Sequence, residues 1–262
     1  MIVPLINGGS VPPNATDETD GATTRAPRYS KRFFNDVANL FDRLGQCLDA
    51  PALPINRWLE AHMGSGRRAL DVGCGTGRNT VKLADCYDDV VGVDVAPAMI
   101  EIAERDRLRP NILYQTRDVL SLTPEHDGRF DLVFGFGCVV HIGPPELVLG
   151  HLRRLVAKGG ALLFVEAMWE PGWGSRDWQV DRAFRIARDI WKATGDLDDV
   201  AAVLPLALNP MFLELTEKTS IPPTREDFLH EYSAALPGVT IEEKDVLGYR
   251  VGIVSWCAED EY

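Results

Sequence analysis

One stretch limits what this chain can fold into more than any other: Arg67 to Asp94, RRALDVGCGTGRNTVKLADCYDDVVGVD. A short apolar run ends on the acid Asp71. Gly73, Cys74, Gly75, Thr76 and Gly77 follow as a turn, then a helical pattern from Arg78 to about Asp85. A second apolar run, Val90 to Val93, ends on Asp94. The order is strand, turn, helix, strand. Glycine has no Cβ, so this turn can be sharp and its backbone can come close to a ligand. The open start of the following helix presents unpaired N–H groups. An acid at the tip of the second strand can accept two hydrogen bonds from a ribose diol, as in nucleotide-binding α/β folds. The stretch predicts a nucleoside held at the carboxyl ends of parallel strands, rather than a plain strand–helix turn.

The glycine spacing narrows the choice of nucleoside. The dinucleotide fingerprint is G-x-G-x-x-G. Here the sixth position is Arg78 and the third glycine comes early, at Gly77. No G-x-x-x-x-G-K-[ST] loop occurs, so a P-loop phosphate site is unsupported. The run Leu70 to Gly77, LDVGCGTG, closely resembles motif I of class I S-adenosylmethionine (SAM) dependent methyltransferases. That resemblance implies SAM as cofactor and S-adenosylhomocysteine (SAH) as its product. It sets Gly73, Gly75 and Gly77 under the methionine part of SAM, Asp71 near the amino group and Asp94 on the ribose hydroxyls. Cys74 is expected to pack rather than to act as a nucleophile.

Charge and cysteine content limit the partners. The formal net charge is −12, and 45% of residues are hydrophobic. An acidic surface repels phosphates of nucleic acid and anionic lipid, so neither is an expected partner. The five cysteines, Cys47, Cys74, Cys86, Cys138 and Cys257, are scattered with no C-x-x-C pair. Their odd number suits reduced thiols and a cytoplasmic location. MIVPLI at the start lacks the basic region of a signal peptide, and no apolar run approaches a membrane span. The five histidines are dispersed without metal-ligand spacing, so no metal site is expected.

Residues 1–28 read as a disordered or loosely packed lead, rich in Gly, Pro, Asn and Thr from residue 7. Residues 29–64 hold two helices. In FFNDVANLFDRL, Phe33, Phe34, Val37, Leu40, Phe41 and Leu44 fall at helical spacing, and a shorter helix spans about Ile55 to Met63. The apolar face either packs on the domain or forms a lid. The segment is similar to the N-terminal helix of ubiquinone and menaquinone C-methyltransferases, with Phe41-Asp42 where Tyr-Asp usually stands. Tyr29 could reach substrate from such a lid.

Residues 65–166 carry the cofactor core. After Asp94 come Val95 and a helix opened by Pro97, in which Met99 reads as core; the resemblance places Val95 and Met99 against the adenine. NILYQT (111–116) is a third strand, followed by Asp118 and Val119. An acid just past a strand end can accept the adenine amino N–H, and in the resembled family Asp118 is the match. FDLVFGF (130–136) is a fourth strand, apolar as a central parallel strand should be. By the resemblance, Gly135 and Phe136 border the cofactor. His141 follows as the titratable candidate for a general base. DNA amino-methyltransferases carry a Pro-Pro-aromatic motif here, where this chain reads FGFG. A helix from Pro145 to Val156, ended by Lys158-Gly159-Gly160, leads into a fifth strand, ALLFVE (161–166).

Residues 237–262 predict a hairpin, Val239 to Val246 and Tyr249 to Trp256, turning through Leu247-Gly248. Far more chain lies between Glu166 and this hairpin than one crossover helix needs. Residues 167–236 therefore read as a helical substrate cap, with helices at about 176–194, 196–206 and 224–235. Trp169, Trp173, Trp178 and Trp191 cluster there. They either pack the cap or wall a pocket, and Trp169 and Trp173 are taken as substrate-binding candidates.

The expected fold is an α/β, Rossmann-like, doubly wound seven-stranded sheet, mostly parallel with an antiparallel last strand, plus a helical cap insertion. The expected function is transfer of a methyl group from SAM to O, N or C of a small-molecule acceptor, in secondary metabolism, by a chain that forms a homodimer. Two other readings compete: a non-methylating enzyme of the same fold, such as a cyclase or decarboxylase, and a nicotinamide oxidoreductase, which Arg78 and Asp118 disfavour.

Overall fold

The computed structural model describes residues 26–212, 214 and 221–258. The first 25 residues of the expected lead lie outside them. Seven strands form one sheet: β1 Gly66–Val72, β2 Tyr87–Asp94, β3 Ile112–Thr116, β4 Phe130–Phe136, β5 Val156–Ala167, β6 Thr240–Val246 and β7 Tyr249–Cys257. Their order is β3-β2-β1-β4-β5-β7-β6. The first five pair in parallel, and β7 runs antiparallel to both β5 and β6. The chain starts at β1 in the middle, winds outward to β3, then crosses back to β4. This reversal leaves a crevice at the carboxyl ends of β1 and β4, where open α/β sheets take ligands.

Strand alternation divides the core in two. Ala69, Leu132, Phe134, Leu163, Val165 and Ile253 face one side. Leu70, Val72, Val133, Leu162, Phe164 and Val254 face the other. A central parallel strand must be apolar on both faces, because helices cover both. The first face carries α2 (Pro54–His62), α3 (Arg78–Leu83), α8 (Arg176–Thr194) and α9 (Leu197–Ala207). The second carries α7 (Pro145–Leu152) and α10 (Arg225–Ala235), which buries Phe228 and Tyr232 with their rings stacked 4.0 Å apart. Asp71 shares the first face with Ala69, so its side chain points toward the cap.

Helix α1 (Ala26–Cys47) is longer at both ends than its apolar pattern predicts. It packs on α4 (Pro97–Arg107), with Ala38 buried against Ala96, Met99 and Ile102. The helix expected over 145–156 ends early. A single 3₁₀ turn over Arg153–Leu155 closes it, and β5 already begins at Val156. The Lys158-Gly159-Gly160 group is thus inside the strand. Phe130 pairs with Val156 while Leu132 pairs with Ala161, so the residues between bulge out. Gly159 sits at φ +71°, a left-handed conformation suited to a bulge as well as to a helix end. The hairpin turn forms as expected, with both Leu247 and Gly248 at positive φ. No helix among the described residues is long and apolar enough to cross a membrane.

Candidate functional site

The carboxyl ends of β1, β2 and β3 each carry an acid, and all three acids face one cavity of about 610 Å³. Asp71 is the penultimate residue of β1, within its buried end. Its Oδ2 accepts a hydrogen bond from the Thr80 hydroxyl at 2.6 Å, and both residues are buried. Asp94, at the tip of β2, accepts two backbone N–H groups, Gly75 on Oδ2 at 3.0 Å and Ala96 on Oδ1 at 2.8 Å. Asp118 caps a 3₁₀ turn (Val119–Ser121), accepting from Leu120 N at 2.9 Å through Oδ1.

Between Asp71 and Asp94 runs the glycine turn. Gly73, Gly75 and Gly77 all have positive φ. Their surroundings differ. A Cβ at Gly77 would strike the Tyr114 hydroxyl, and one at Gly73 would strike Cys138. Gly75 faces open space on the cavity side, so its backbone can lie against a ligand. Cys74 is buried against Gly92, and burial with two neighbouring acids pushes its thiol well up, so it holds no thiolate.

Burial also sets the charge of the acids. It raises the Asp71 carboxyl to about 7, with the Thr80 hydrogen bond opposing and the Asp94 charge adding to the rise. Burial raises Asp94 as well, against the backbone N–H groups it accepts. A cationic ligand offsets this cost, since opposite charge restores the ionised form.

Apolar side chains complete the walls. Met99 is buried beneath α1, and Val95, Val119 and Leu120 lie beside the acids. Phe136 ends β4. Beyond it, α6 (Val139–Ile142) carries His141, whose ring meets Phe34 of α1 edge to face at 5.2 Å. Burial pushes the imidazole down to about 4, so His141 is neutral at physiological pH.

Most of the expected residues meet in this one cavity: Asp71, Gly73, Gly75, Asp94, Val95, Met99, Asp118, Val119, Phe136, His141 and Trp173 all line it. Others lie apart. Gly77 is the N-cap of α3, and its role is the tight approach to Tyr114. Gly135 lies inside β4, where a Cβ would strike Phe164. Trp169 faces a different cavity, lined also by Trp58 and Arg188. Tyr29 falls in α1, and its side chain lies outside the described residues.

Two buried charged residues of the lining lie outside the expected set. Glu166, near the end of β5, is buried, and its Oε1 accepts the backbone N–H groups of Cys138 and Val139 at 3.0 and 3.2 Å. Burial raises it to about 7. Its signal was present in ALLFVE, an acid closing an apolar strand, as in Asp71 and Asp94. Arg182 of α8 is the second. It falls on the helix's apolar stripe, one turn from Trp178 and from Ile186, where a charge is out of pattern. Among the described residues no group of His, Cys, Asp and Glu could hold a metal ion.

The donor set fits a SAM-sized ligand. Acids at successive strand tips suit an amino group, a ribose diol and an adenine amino group, while Met99, Val95 and Val119 offer a flat apolar bed.

Known proteins resemble this chain in sequence and in fold. Residues 69–160 match a family model described as a methyltransferase domain. Over 113 residues the chain is 31% identical to a ubiquinone biosynthesis O-methyltransferase of Acinetobacter baylyi, covering 41% of this chain and 47% of that protein. The chain spans about half the length of the curated relatives it matches. Among solved structures it is similar to a DhpI–SAH complex, with a TM-score of 0.59 and 19% identity over 92% of this chain and 100% of that one. It is also similar to magnesium protoporphyrin IX methyltransferase from Synechocystis with bound SAH, with a TM-score of 0.55 and 16% identity over 88% and 99% of the two chains. At these identities the likeness is one of fold.

Proposed function

Taking residues 69–160 as a methyltransferase domain of the class I, SAM-dependent kind, we propose that this protein is an enzyme that moves the methyl group of SAM to O, N or C of a small molecule. The observation that carries this reading is the row of three acids, Asp71, Asp94 and Asp118, on one cavity that continues past His141 into the aromatic cap. When bound, SAM supplies an electrophilic methyl on a positively charged sulfur, open to in-line displacement.

The chain's own residues bind, align and exclude water. Asp94 and the Gly75 backbone it holds would fix the ribose, and Asp71 would take the amino group. Helix α1 covers this end, with Phe34 and Phe41 on the cavity. Alignment and water exclusion account for much of the rate in a displacement whose leaving group is already activated. For a hydroxyl or carbon acid, a proton must also be removed. We place His141 there, as a neutral imidazole able to accept it. An amine acceptor needs only its lone pair free.

The cap, residues 167–236, is proposed as the acceptor's cover, with Trp173 on the inner wall. Its indole Nε1 is buried without an acceptor, which leaves it available to a polar acceptor group. All five cysteines are free, which supports a reducing, cytoplasmic setting.

Calorimetry with SAH, followed by an acceptor screen with methyl-labelled SAM, tests the reading. Micromolar SAH binding and a labelled small-molecule product are expected. A product formed without label would favour the cyclase or decarboxylase reading, and failure to bind SAH would remove the basis for both.

A further inference from the structure

Arg182 is the anomaly of the cavity. It is 2% exposed, on the inward face of α8, and it lines the cap end of the cavity beside Trp173, Phe212 and Tyr249. It forms no ion pair among the described residues. Its Nη2 donates to the Ala207 carbonyl at 3.2 Å, while its Nε is buried without an acceptor. The guanidinium lies 5.0 Å from the Tyr249 ring centroid and 5.6 Å from that of Trp178. Aromatic faces attract a cation but do not replace an anion in a dry site. A buried charge normally has a paired partner, because removing it from water unpaired is expensive. Glu166, the buried acid in the same cavity, already accepts the backbone N–H groups of Cys138 and Val139 on Oε1.

We propose that the acceptor is an anion, a carboxylate- or phosphate-bearing small molecule, and that Arg182 binds its charged group while the aromatic cap covers the rest. The proposal rests on the methyl-transfer reading of the same cavity and names its substrate class. A guanidinium presents planar, paired donors that match both oxyanions, and the flanking rings keep it oriented. The outer surface of the same hairpin turn supports this. A second cavity, of about 870 Å³, shares Ile55, Val246 and Leu247 with the first, and its basic lining residues, Arg57, Arg185, Arg188, Lys192, Lys244 and Arg250, outnumber its acids, Glu170, Asp189 and Asp245. Arg57, Arg188 and Lys192 form no ion pair among the described residues. On a chain of net charge −12, a basic patch at this edge draws anions toward a surface that otherwise repels them.

The test uses the full chain and simple probes at matched ionic strength: benzoate, phenyl phosphate and neutral benzamide. Each is titrated by calorimetry into the SAH-saturated wild type, Arg182→Met and Arg182→Lys. SAH affinity is measured separately on all three. At least one anion is expected to bind about tenfold or more tightly than benzamide to wild type, as a charge-assisted pair predicts. The preference should vanish in Arg182→Met and persist in part in Arg182→Lys. The stronger anion tells carboxylate from phosphate. Equal binding of anions and benzamide to wild type, absence of anion binding, or a preference that survives in Arg182→Met would overturn the proposal. A structural role gives a further readout. If Arg182 only braces α8, Arg182→Met melts lower than wild type; an unpaired buried cation predicts an equal or higher melting temperature before ligand is added. Should SAH fail to bind, the cofactor reading falls, and the anion titration without SAH still decides the role of Arg182.

Discussion

The Asp94 carboxylate accepts the backbone N–H of Gly75 at 3.0 Å, so the acid at the tip of β2 holds the glycine turn that leaves β1. The same side chain accepts Ala96 N at 2.8 Å with its other oxygen. One residue therefore shapes the turn and presents charge to the ligand, and its two duties cannot be separated by simple deletion.

Asp94→Ala should weaken SAH binding by about 10- to 100-fold, the worth of one or two charge-assisted hydrogen bonds. It also leaves two backbone donors without their acceptor, for a loss of about 1–3 kcal/mol of stability. Asp94→Asn keeps one acceptor oxygen and turns its NH2 toward the second backbone N–H. It should recover part of the melting temperature and little of the affinity. Equal SAH affinity in wild type and Asp94→Asn would remove the carboxylate from the binding account.

Asp71 gives a pH signature. Its carboxyl is raised from 3.8 to about 7 in the fold, so the native state holds a proton that the unfolded chain releases. Its contribution to stability is full below pH 4 and is lost as pH rises toward 7. A ligand's ammonium group reverses this preference, because it binds the ionised form. SAH affinity should therefore rise from pH 5.5 to about 7 and level off above, with proton release on binding below 7. Calorimetry in buffers of different ionisation enthalpy counts those protons. Asp71→Asn should bind more weakly and without the pH slope; a slope unchanged in that variant would assign it elsewhere.

His141 and Glu166 make opposite predictions for the pH profile of turnover. Burial lowers His141 to about 4 and raises Glu166 to about 7. With His141 as the base, kcat for a hydroxyl or carbon acceptor should show no limb between pH 5.5 and 8. His141→Ala should lower kcat about 100-fold or more with little change in SAM affinity. A limb near 7, abolished by Glu166→Gln while His141→Ala keeps its rate, would transfer the role to Glu166.

The cofactor end was legible from sequence because its geometry is local. A glycine turn followed by a helix, and acids closing apolar strands, state their own positions along the chain, and Asp71, Asp94 and Asp118 line one cavity. Gly135 and Gly77 were legible as glycines but not as packing sites, since Phe164 and Tyr114 approach them from other strands. Trp169 and Trp173 look equivalent in sequence. They part company because the chain turns between them, leaving Trp169 39% exposed on the outer cavity. The end of α7 was misplaced because glycine at positive φ serves a strand bulge and a helix end alike. Arg182 could be seen as out of pattern on α8, but that no acid pairs with it among the described residues is a tertiary fact.

The last prediction concerns the cover over the cofactor end. Asp42 of α1 pairs with Arg107 at the end of α4 at 2.8 Å, and both side chains are largely buried. Arg107 also donates to the Thr76 carbonyl of the glycine turn at 3.0 Å, so one guanidinium joins the cover, α4 and the turn. Removing one partner of a buried pair leaves the other charge uncompensated and costs about 3–5 kcal/mol. Asp42→Ala should therefore lower the melting temperature markedly and weaken SAH binding, although Asp42 does not line the cavity. Replacing both residues, Asp42→Ala with Arg107→Met, should restore part of the stability, since no lone charge remains. It should not restore the affinity, because the tie to Thr76 is gone. A double-mutant cycle on melting temperature and on SAH affinity measures the two couplings apart. If Asp42→Ala left both quantities unchanged, α1 would be held by its apolar face, through Ala38 against Ala96, Met99 and Ile102, and by the Ala98 N–H donated to Asn35 Oδ1.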